Sequence, residues 1–246
     1  MSVSALPTPA SLPYAALRPF SVEEYHRMIE VGILTEQDKV ELIRGYVIFK
    51  NPPHKTSPFS ALRPFSVAEY HQMIDAEILT TEDKVELLNG YVVLKMPRNP
   101  PHDTSVMGVF ESLRATLPVG WTVRSQCAVT LAISEPEPDA AVVRGTWRDF
   151  KNHHPYPPEI GLVVQVSDSS LRLDRGEKGL AYSAAGIPMY WIVNVVDQWI
   201  EVYTEPTGAG QDASYAQRHD YRPGDSIPLI LDGITVGQVA VRDLLG

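Results

Sequence analysis

The sequence contains a single cysteine, lacks a long hydrophobic run and has no excess of positive charge. Cys127 cannot form a disulfide within the chain, so a reducing, cytoplasmic location is expected. The most apolar run, MYWIVNVVDQWIEVY, is interrupted by Asp197 and is too short and polar to span a bilayer. The first residues, MSVSALPTPASLPY, have neither the basic nor the apolar region of a signal peptide. We therefore expect neither secretion nor membrane insertion.

The charge balance limits how the protein can contact nucleic acid. Lysine and arginine number 21 against 30 aspartates and glutamates, which gives a net charge of −9 and a pI near 5.2. This balance excludes binding to DNA through overall charge, so any contact needs a local basic patch or a metal ion that offsets phosphate repulsion.

Several familiar catalytic motifs are also missing. The sequence has no glycine-rich phosphate loop, no G-x-S-x-G elbow, no H-E-x-x-H helix and no zinc-binding cysteine pattern. Cys127 has no histidine nearby in the sequence to activate it as a nucleophile. The 246 residues, 44% hydrophobic and 21% charged, instead indicate a globular protein of one domain with an appendage, or of two small domains.

The first hundred residues contain a tandem repeat. The segment ALRPFSVEEYHRMIEVGILTEQDKVELIRGYVIFK begins at Ala16, and ALRPFSVAEYHQMIDAEILTTEDKVELLNGYVVLK begins at Ala61, with about two-thirds of the positions identical. Each copy predicts a helix capped by Ser21 or Ser66, followed by a β-hairpin with a two-residue turn. Two copies are too few for a solenoid, so we infer a duplicated helix-hairpin unit.

The position of each copy is a separate question. Because the second copy adjoins the remaining chain, we expect it to be integrated with the rest of the fold. The first copy, assigned to an extra unit over residues 1–58, could pack on the outside, pair with another subunit or remain loosely ordered. Residues 59–246 are then expected to form the main domain.

After the repeat, strand-like and helical segments alternate. HDTSVMGVFESLRATLP has helical periodicity, and IGLVVQVS is an apolar run typical of a central strand. SLRLDRGEKGLAYSAAG predicts a further helix that stops near Gly186, and MYWIVNVV and QWIEVYTE predict strands. The order indicates an α/β or α+β domain with a mixed sheet.

Taken singly, the polar residues of these segments allow ordinary structural interpretations. Asp139 follows a proline and would most simply cap a turn, and Glu86 would be a solvated strand residue. Asp174, Lys178 and Tyr182 lie four residues apart along one helix face, where an exposed Asp–Lys pair would be the usual explanation.

Together, these segments resemble a known family. The order of PD, an apolar strand with a polar residue and then a lysine is similar to the PD-(D/E)XK nuclease superfamily. More closely, VELLNGYVV, EPDAAVV, GLVVQVSDSSLRLDRGEKGLAYSAAGIPMYWIVN and IEVY resemble the Uma-type family of predicted restriction endonucleases. The resemblance runs from about Leu62 to the C-terminus and implies a restriction-endonuclease-like core.

The resemblance assigns roles residue by residue. It implies catalytic roles for Asp139, Gln165, Lys178 and Glu86, with Mg²⁺ or Mn²⁺ held by Asp139, Glu86 and Gln165. It implies accessory roles for four further residues: His102, Asp174, Arg175 and Tyr182. The sequence departs from the family at Gln165, where the family has glutamate. An amide keeps a carbonyl oxygen but loses the negative charge, so metal affinity should fall, and the amide cannot act as a base.

Three functional hypotheses follow. The first is a metal-dependent endonuclease that hydrolyses DNA phosphodiesters. The second is a catalytically inactive protein of the same fold that binds nucleic acid or a protein. The third is a structural or oligomerisation module that uses the duplicated helix-hairpin. A homodimer is expected only by analogy with nucleases that cut both strands.

Overall fold

The computed structural model describes residues 16–52 and 61–246, which form two compact units. The first unit contains the described residues up to Lys95 together with Ala132–Glu135, and the second contains Met96–Leu131 and Pro136–Gly246. Both copies of the repeat therefore lie in the first unit. The boundary predicted between residues 58 and 59 lies outside the described residues, as does the N-terminal segment considered as a signal peptide.

Each copy of the repeat forms a helix followed by a two-stranded hairpin. A short 3₁₀ turn, Glu36–Asp38 or Thr81–Asp83, lies between the helix and the hairpin. The elements of the two copies are α1 (Val22–Glu30), β1 (Val40–Ile43) and β2 (Tyr46–Phe49), then α2 (Val67–Asp75), β3 (Val85–Leu88) and β4 (Tyr91–Leu94).

Local sequence signals account for these elements. The Ser21 hydroxyl accepts a hydrogen bond from the Glu24 amide at 3.1 Å, while the Glu24 carboxylate accepts one from the Ser21 amide at 2.6 Å. Ser66 makes the equivalent capping box in α2. The hairpin turn at Asn89 and Gly90 has φ angles of 52° and 82°, the left-handed conformation that an Asn-Gly turn supplies at little cost. The predicted caps and turns are confirmed.

The two copies pack against each other around one apolar core. Met28 and Met73, at equivalent positions of α1 and α2, are fully buried in it. Within this unit the described residues of the first copy therefore pack on the second copy.

The second unit is a six-stranded mixed sheet with helices. The strand order is β10-β9-β8-β7-β6-β5, and only β7 and β8 are parallel. The elements are α3 (Pro100–Thr116), β5 (Trp121–Ser125), β6 (Ala140–Arg144), β7 (Ile160–Ser167), α4 (Leu171–Leu173), α5 (Gly179–Ala184), β8 (Met189–Asn194), β9 (Trp199–Thr207), β10 (Ser214–Tyr221), β11 (Ser226–Leu231) and β12 (Ile234–Ala240). Strands β11 and β12 form a separate hairpin. The predicted mixed α+β fold is confirmed.

The main core lies on one face of this sheet. Strand β7 is buried along all eight residues, as expected for a central strand. Its alternate residues Leu162, Val164 and Val166 pack with apolar residues of α3 and of the β11–β12 hairpin. Gln165 belongs to the other set of alternating residues, so it faces the opposite side of the sheet.

Two details differ from the sequence-based expectations. Helix α3 begins at Pro100, with Asn99 as its cap, two residues before the helical segment expected from His102. The helix after β7 is interrupted by a π-helical turn, Asp174–Lys178, between α4 and α5. Among the helices of residues 16–52 and 61–246, none has both the length and the apolar character needed to cross a membrane.

Candidate active site

The candidate site lies where β6 begins and β7 ends. Ala140 pairs with Val164 in the antiparallel register, so Asp139 lies across from Gln165. The Asp139 carboxylate accepts a hydrogen bond from the backbone amide of Val166 at 2.8 Å. Asp139 is 6% exposed. It therefore links two neighbouring strands and does not cap its own turn, and the simple interpretation of this residue was wrong.

His102 contacts the same aspartate from the first turn of α3. Its Nε2 atom lies 3.5 Å from Oδ1 of Asp139. The Asp139 carboxylate raises the pKa of His102, and this effect outweighs burial, which acts in the opposite direction. One oxygen of Asp139 is thus held by a backbone amide, and the other is near an imidazole that it favours in the charged form.

Gln165 is held by a buried tyrosine. Its Nε2 atom donates a hydrogen bond to the Tyr182 hydroxyl at 3.1 Å, and the two residues are 4% and 0% exposed. Because the amide nitrogen is used in this contact, the carbonyl oxygen Oε1 is the atom that can ligate a cation. Tyr182, one of the expected accessory residues, thus contacts Gln165 directly.

The π-helical turn carries a buried acidic residue and a buried lysine. Asp174 is 1% exposed and Lys178 is 7% exposed. The prediction of an exposed Asp–Lys pair was therefore wrong. π-helical turns are rare and often occur at functional sites. Here the backbone carbonyl of Asp174 accepts a hydrogen bond from the Tyr190 hydroxyl at 3.0 Å.

The environment of Asp174 disfavours its ionised form. Burial raises its pKa from 3.8 to about 6, although the charge of Lys178 and a hydrogen bond from Ser170 act in the opposite direction. The Ser170 hydroxyl donates to Oδ2 of Asp174 at 2.5 Å, whereas Oδ1 is buried without a hydrogen bond. The charge of Asp139 also contributes to the raised pKa of Asp174, so the two carboxylates interact.

Arg175 is engaged elsewhere. Its guanidinium pairs with both carboxylate oxygens of Glu201, with Nε 2.9 Å from Oε2. Glu201 is fully buried and also accepts hydrogen bonds from Tyr203 at 2.7 Å and Trp199 at 3.2 Å. Burial alone would raise the pKa of Glu201, but these hydrogen bonds outweigh it and lower the pKa to about 2. The geometry makes Arg175 the ion-pair partner of a buried carboxylate.

Glu86 belongs to the first unit. It lies in β3 opposite Val93 and is 3% exposed, so it is not the solvated strand residue that simple alternation predicts. The other candidate residues all lie in the second unit.

Sequence reasoning missed three residues that shape the site. Ser170 and Tyr190 hold Asp174, and Glu201 holds Arg175. Ser170 lies four residues before Asp174, a spacing that could have suggested the contact. For Glu201 the available signal was a glutamate in the middle of an apolar strand, which demands a partner when buried.

The oxygen donors of the second unit are of the type that binds a hard cation, and their small number limits the affinity of such a site. Across residues 16–52 and 61–246, no three histidine, cysteine, aspartate or glutamate side chains are grouped to hold a metal ion. Asp139 and the carbonyl oxygen of Gln165, which lie across from each other in the strand register, are nevertheless of the chemical type that Mg²⁺ and Mn²⁺ prefer. Because Mg²⁺ usually keeps several waters and needs only one or two carboxylates, these two oxygen donors fit such a cation.

Comparison with known proteins gives both a family and a fold. The Uma2 family, described as "Putative restriction endonuclease", matches residues 67–237. A solved structure of a "putative nuclease belonging to DUF820" from Anabaena variabilis is similar with a TM-score of 0.53 and 13% sequence identity, over 74% of this chain and 98% of that one. No curated protein matches. At this identity the structural likeness shows the fold, whereas the family match covers more than half of the sequence. The chain therefore belongs to the Uma2 family.

Proposed function

We propose that the protein is a metal-dependent endonuclease that hydrolyses phosphodiester bonds of DNA. The observation that carries the proposal is the group of buried charged side chains on the β6–β7 strand ends and the adjoining π-helical turn. Asp139, Asp174 and Lys178 are each less than 10% exposed. Buried charges cost folding free energy, so a cluster of them with a perturbed pKa is a candidate functional site.

In this proposal Asp139 and Gln165 of the second unit hold the cation. A bound Mg²⁺ or Mn²⁺ would polarise a phosphoryl oxygen and lower the pKa of its bound water. The ammonium group of Lys178 stabilises negative charge on the phosphate as water attacks phosphorus and one ester P–O bond breaks. Asp174 positions Lys178 through their opposite charges, and Asp139 is itself positioned by the Val166 amide.

The amide at Gln165 sets the expected level of activity. It contributes a neutral oxygen in place of the family's carboxylate, and it cannot accept a proton from water. We therefore expect weak cation affinity and slow hydrolysis. Because the protein carries a net charge of −9, contact with DNA must use a local patch together with the cation. A cytoplasmic location and a homodimer are further parts of this proposal.

The alternative is a protein of nuclease fold that binds nucleic acid or a protein without cutting. The specific observation in its favour is the hydrogen bond between Gln165 and Tyr182, which engages the amide in a buried contact that needs no cation.

Nicking of supercoiled plasmid with Mg²⁺ or Mn²⁺ separates the two. The panel is the native chain, Gln165→Glu, and Lys178→Ala in each background. Slow nicking by the native chain that Lys178→Ala abolishes would support the endonuclease. Nicking by Gln165→Glu alone would support the binding alternative for the native chain. No nicking by any folded variant would refute the endonuclease proposal, both for the native chain and for Gln165→Glu.

A further inference from the structure

The two copies of the repeat are related to each other as the two halves of a symmetric dimer. Positions in the second copy follow those of the first by 45 residues, so Leu17 corresponds to Leu62 and Arg18 to Arg63. Three kinds of contact between the copies occur twice, once in each direction: β-bridges, backbone hydrogen bonds and ion pairs. This is the pattern of an isologous interface, in which residue i contacts j and j contacts i.

The backbone shows this exchange directly. Leu17, which precedes α1, forms a β-bridge with Val93 in the hairpin of the second copy, and the Arg18 amide donates to the Val92 carbonyl at 3.0 Å. In the opposite direction, Leu62 bridges Ile48, and the Arg63 amide donates to the Val47 carbonyl at 2.9 Å. Each copy thus adds its leading segment to the other copy's hairpin.

The charged side chains repeat the exchange. Arg18 pairs with Asp83 of the second copy at 2.6 Å, and Arg63 pairs with Asp38 of the first copy at 2.9 Å. The two arginine side chains are only 11% and 9% exposed, so solvent screens these pairs less than it would surface pairs. Each arginine also pairs with a glutamate of its own copy, Glu24 in the first copy and Glu69 in the second.

The centre of the interface contains one residue type paired with itself. Phe20 and Phe65, which are equivalent positions, make an edge-to-face contact with ring centroids 5.9 Å apart. A residue that contacts its own equivalent lies at the two-fold axis of a symmetric interface. Because of this symmetry, the second copy contains the equivalents of both residues that form each reciprocal contact.

We propose that this face is self-complementary and that the first copy occupies the place that the repeat of a second molecule of this chain would take. If a second copy pairs with another second copy, Arg63 meets Asp83 of the other molecule, Leu62 meets Val93, and Phe65 meets Phe65. The tandem repeat thereby satisfies internally an interface that otherwise joins two molecules. The partner that fits this face is another molecule of the same chain.

A charge exchange in the full-length chain tests the proposal. In the double variant Arg18→Asp with Asp38→Arg, internal pairing places Asp against Asp83 and Arg against Arg63. Pairing of second copy with second copy between molecules still joins Arg63 to Asp83. We expect the mass measured by size exclusion with light scattering to be at least twice that of the native chain, rising with concentration.

The matched control adds Arg63→Asp and Asp83→Arg to the double variant. This quadruple variant restores opposite charges across both internal pairs while doubling the number of substitutions and the repulsion from Glu24 and Glu69. We expect its mass to return to that of the native chain. Equal masses for the native chain and the folded double variant would overturn the proposal, as would aggregates from the quadruple variant like those from the double.

A milder variant keeps the test decisive if charge reversal unfolds the protein. Arg18→Ala with Asp38→Ala removes both internal ion pairs without creating repulsion, and it leaves Arg63 and Asp83 intact. The first copy of the same chain competes with another molecule for the second copy, at an effective concentration on the order of millimolar for a short linker. The protein concentration of the sample should therefore approach that value. A discrete species of twice the mass of an Arg27→Ala control supports the proposal, and a mass unchanged from that control refutes it.

Discussion

The raised pKa of Asp174 makes a quantitative prediction about stability. The unfolded carboxyl has a pKa of 3.8 and the folded one a pKa of about 6, so the native state binds more protons than the unfolded state between these values. Stability from this residue is therefore fully present below pH 3.8 and is lost as the pH rises through 6. The whole difference corresponds to about 3 kcal/mol, and linkage places about 1.4 kcal/mol of it between pH 5 and pH 8.

Asp174→Asn isolates this contribution. The substitution changes other contacts as well, including the pairing with Lys178, but those effects cancel when the same variant is compared at two pH values. We expect the free energy of unfolding of the variant, relative to the native chain, to rise by about 1.4 kcal/mol from pH 5 to pH 8. Urea unfolding followed by circular dichroism at constant ionic strength measures this difference.

An exposed aspartate provides the control. The backbone amide of Thr146 lowers the pKa of Asp149 below its usual 3.8, so this carboxyl stays ionised from pH 5 to pH 8, and Asp149→Asn should leave the pH dependence over that range unchanged. If native and Asp174→Asn curves shift in parallel between pH 5 and pH 8, Asp174 is ionised normally and the burial argument fails.

Three further substitutions test the second unit. Arg175→Ala leaves the fully buried Glu201 without its bidentate partner and should cost about 1–3 kcal/mol in urea unfolding, whereas a loss below 0.5 kcal/mol would show that other donors suffice. Gly161→Ala should cost about 1–3 kcal/mol, because an added Cβ would lie 2.6 Å from a core leucine methyl, and an unchanged melting temperature would contradict this packing. His102→Gln should destabilise the protein more at pH 5.5 than at pH 8. The stability that the raised pKa of His102 contributes is present below its usual pKa of 6.5 and is lost as the pH rises through the folded value. Equal losses at both pH values would argue against the pairing of His102 with Asp139.

The parts of the fold that were predicted correctly depend on short-range signals. The serine caps of α1 and α2 and the Asn-Gly turn act within four residues, so the sequence states them directly. Strand β7 was identified because a short run rich in β-branched residues is long enough for a strand and too short for a buried helix.

The missed features depend on packing between distant segments. Nothing in DRGEK distinguishes a π-helical turn from an α-helix. The Asp174 carbonyl accepts a hydrogen bond from the Gly179 amide, which closes the turn, and another from the Tyr190 hydroxyl, 16 residues away. The burial of Asp174 and Lys178 likewise depends on the elements packed around them. Local spacing placed both on one helix face, but it could not say whether that face meets solvent or the sheet.

The residue at position 165 affects stability and cation binding in opposite directions. Asp139 lies across from Gln165, and its charge already contributes to the raised pKa of Asp174. A glutamate at 165 would add a third negative charge beside this pair, which without a cation would increase repulsion and disfavour the ionised forms. The neutral amide avoids that repulsion, and its hydrogen bond to Tyr182 keeps the buried group satisfied. For the same reason it attracts a divalent cation less strongly, so the substitution that favours the cation-free fold is also the one that lowers cation affinity.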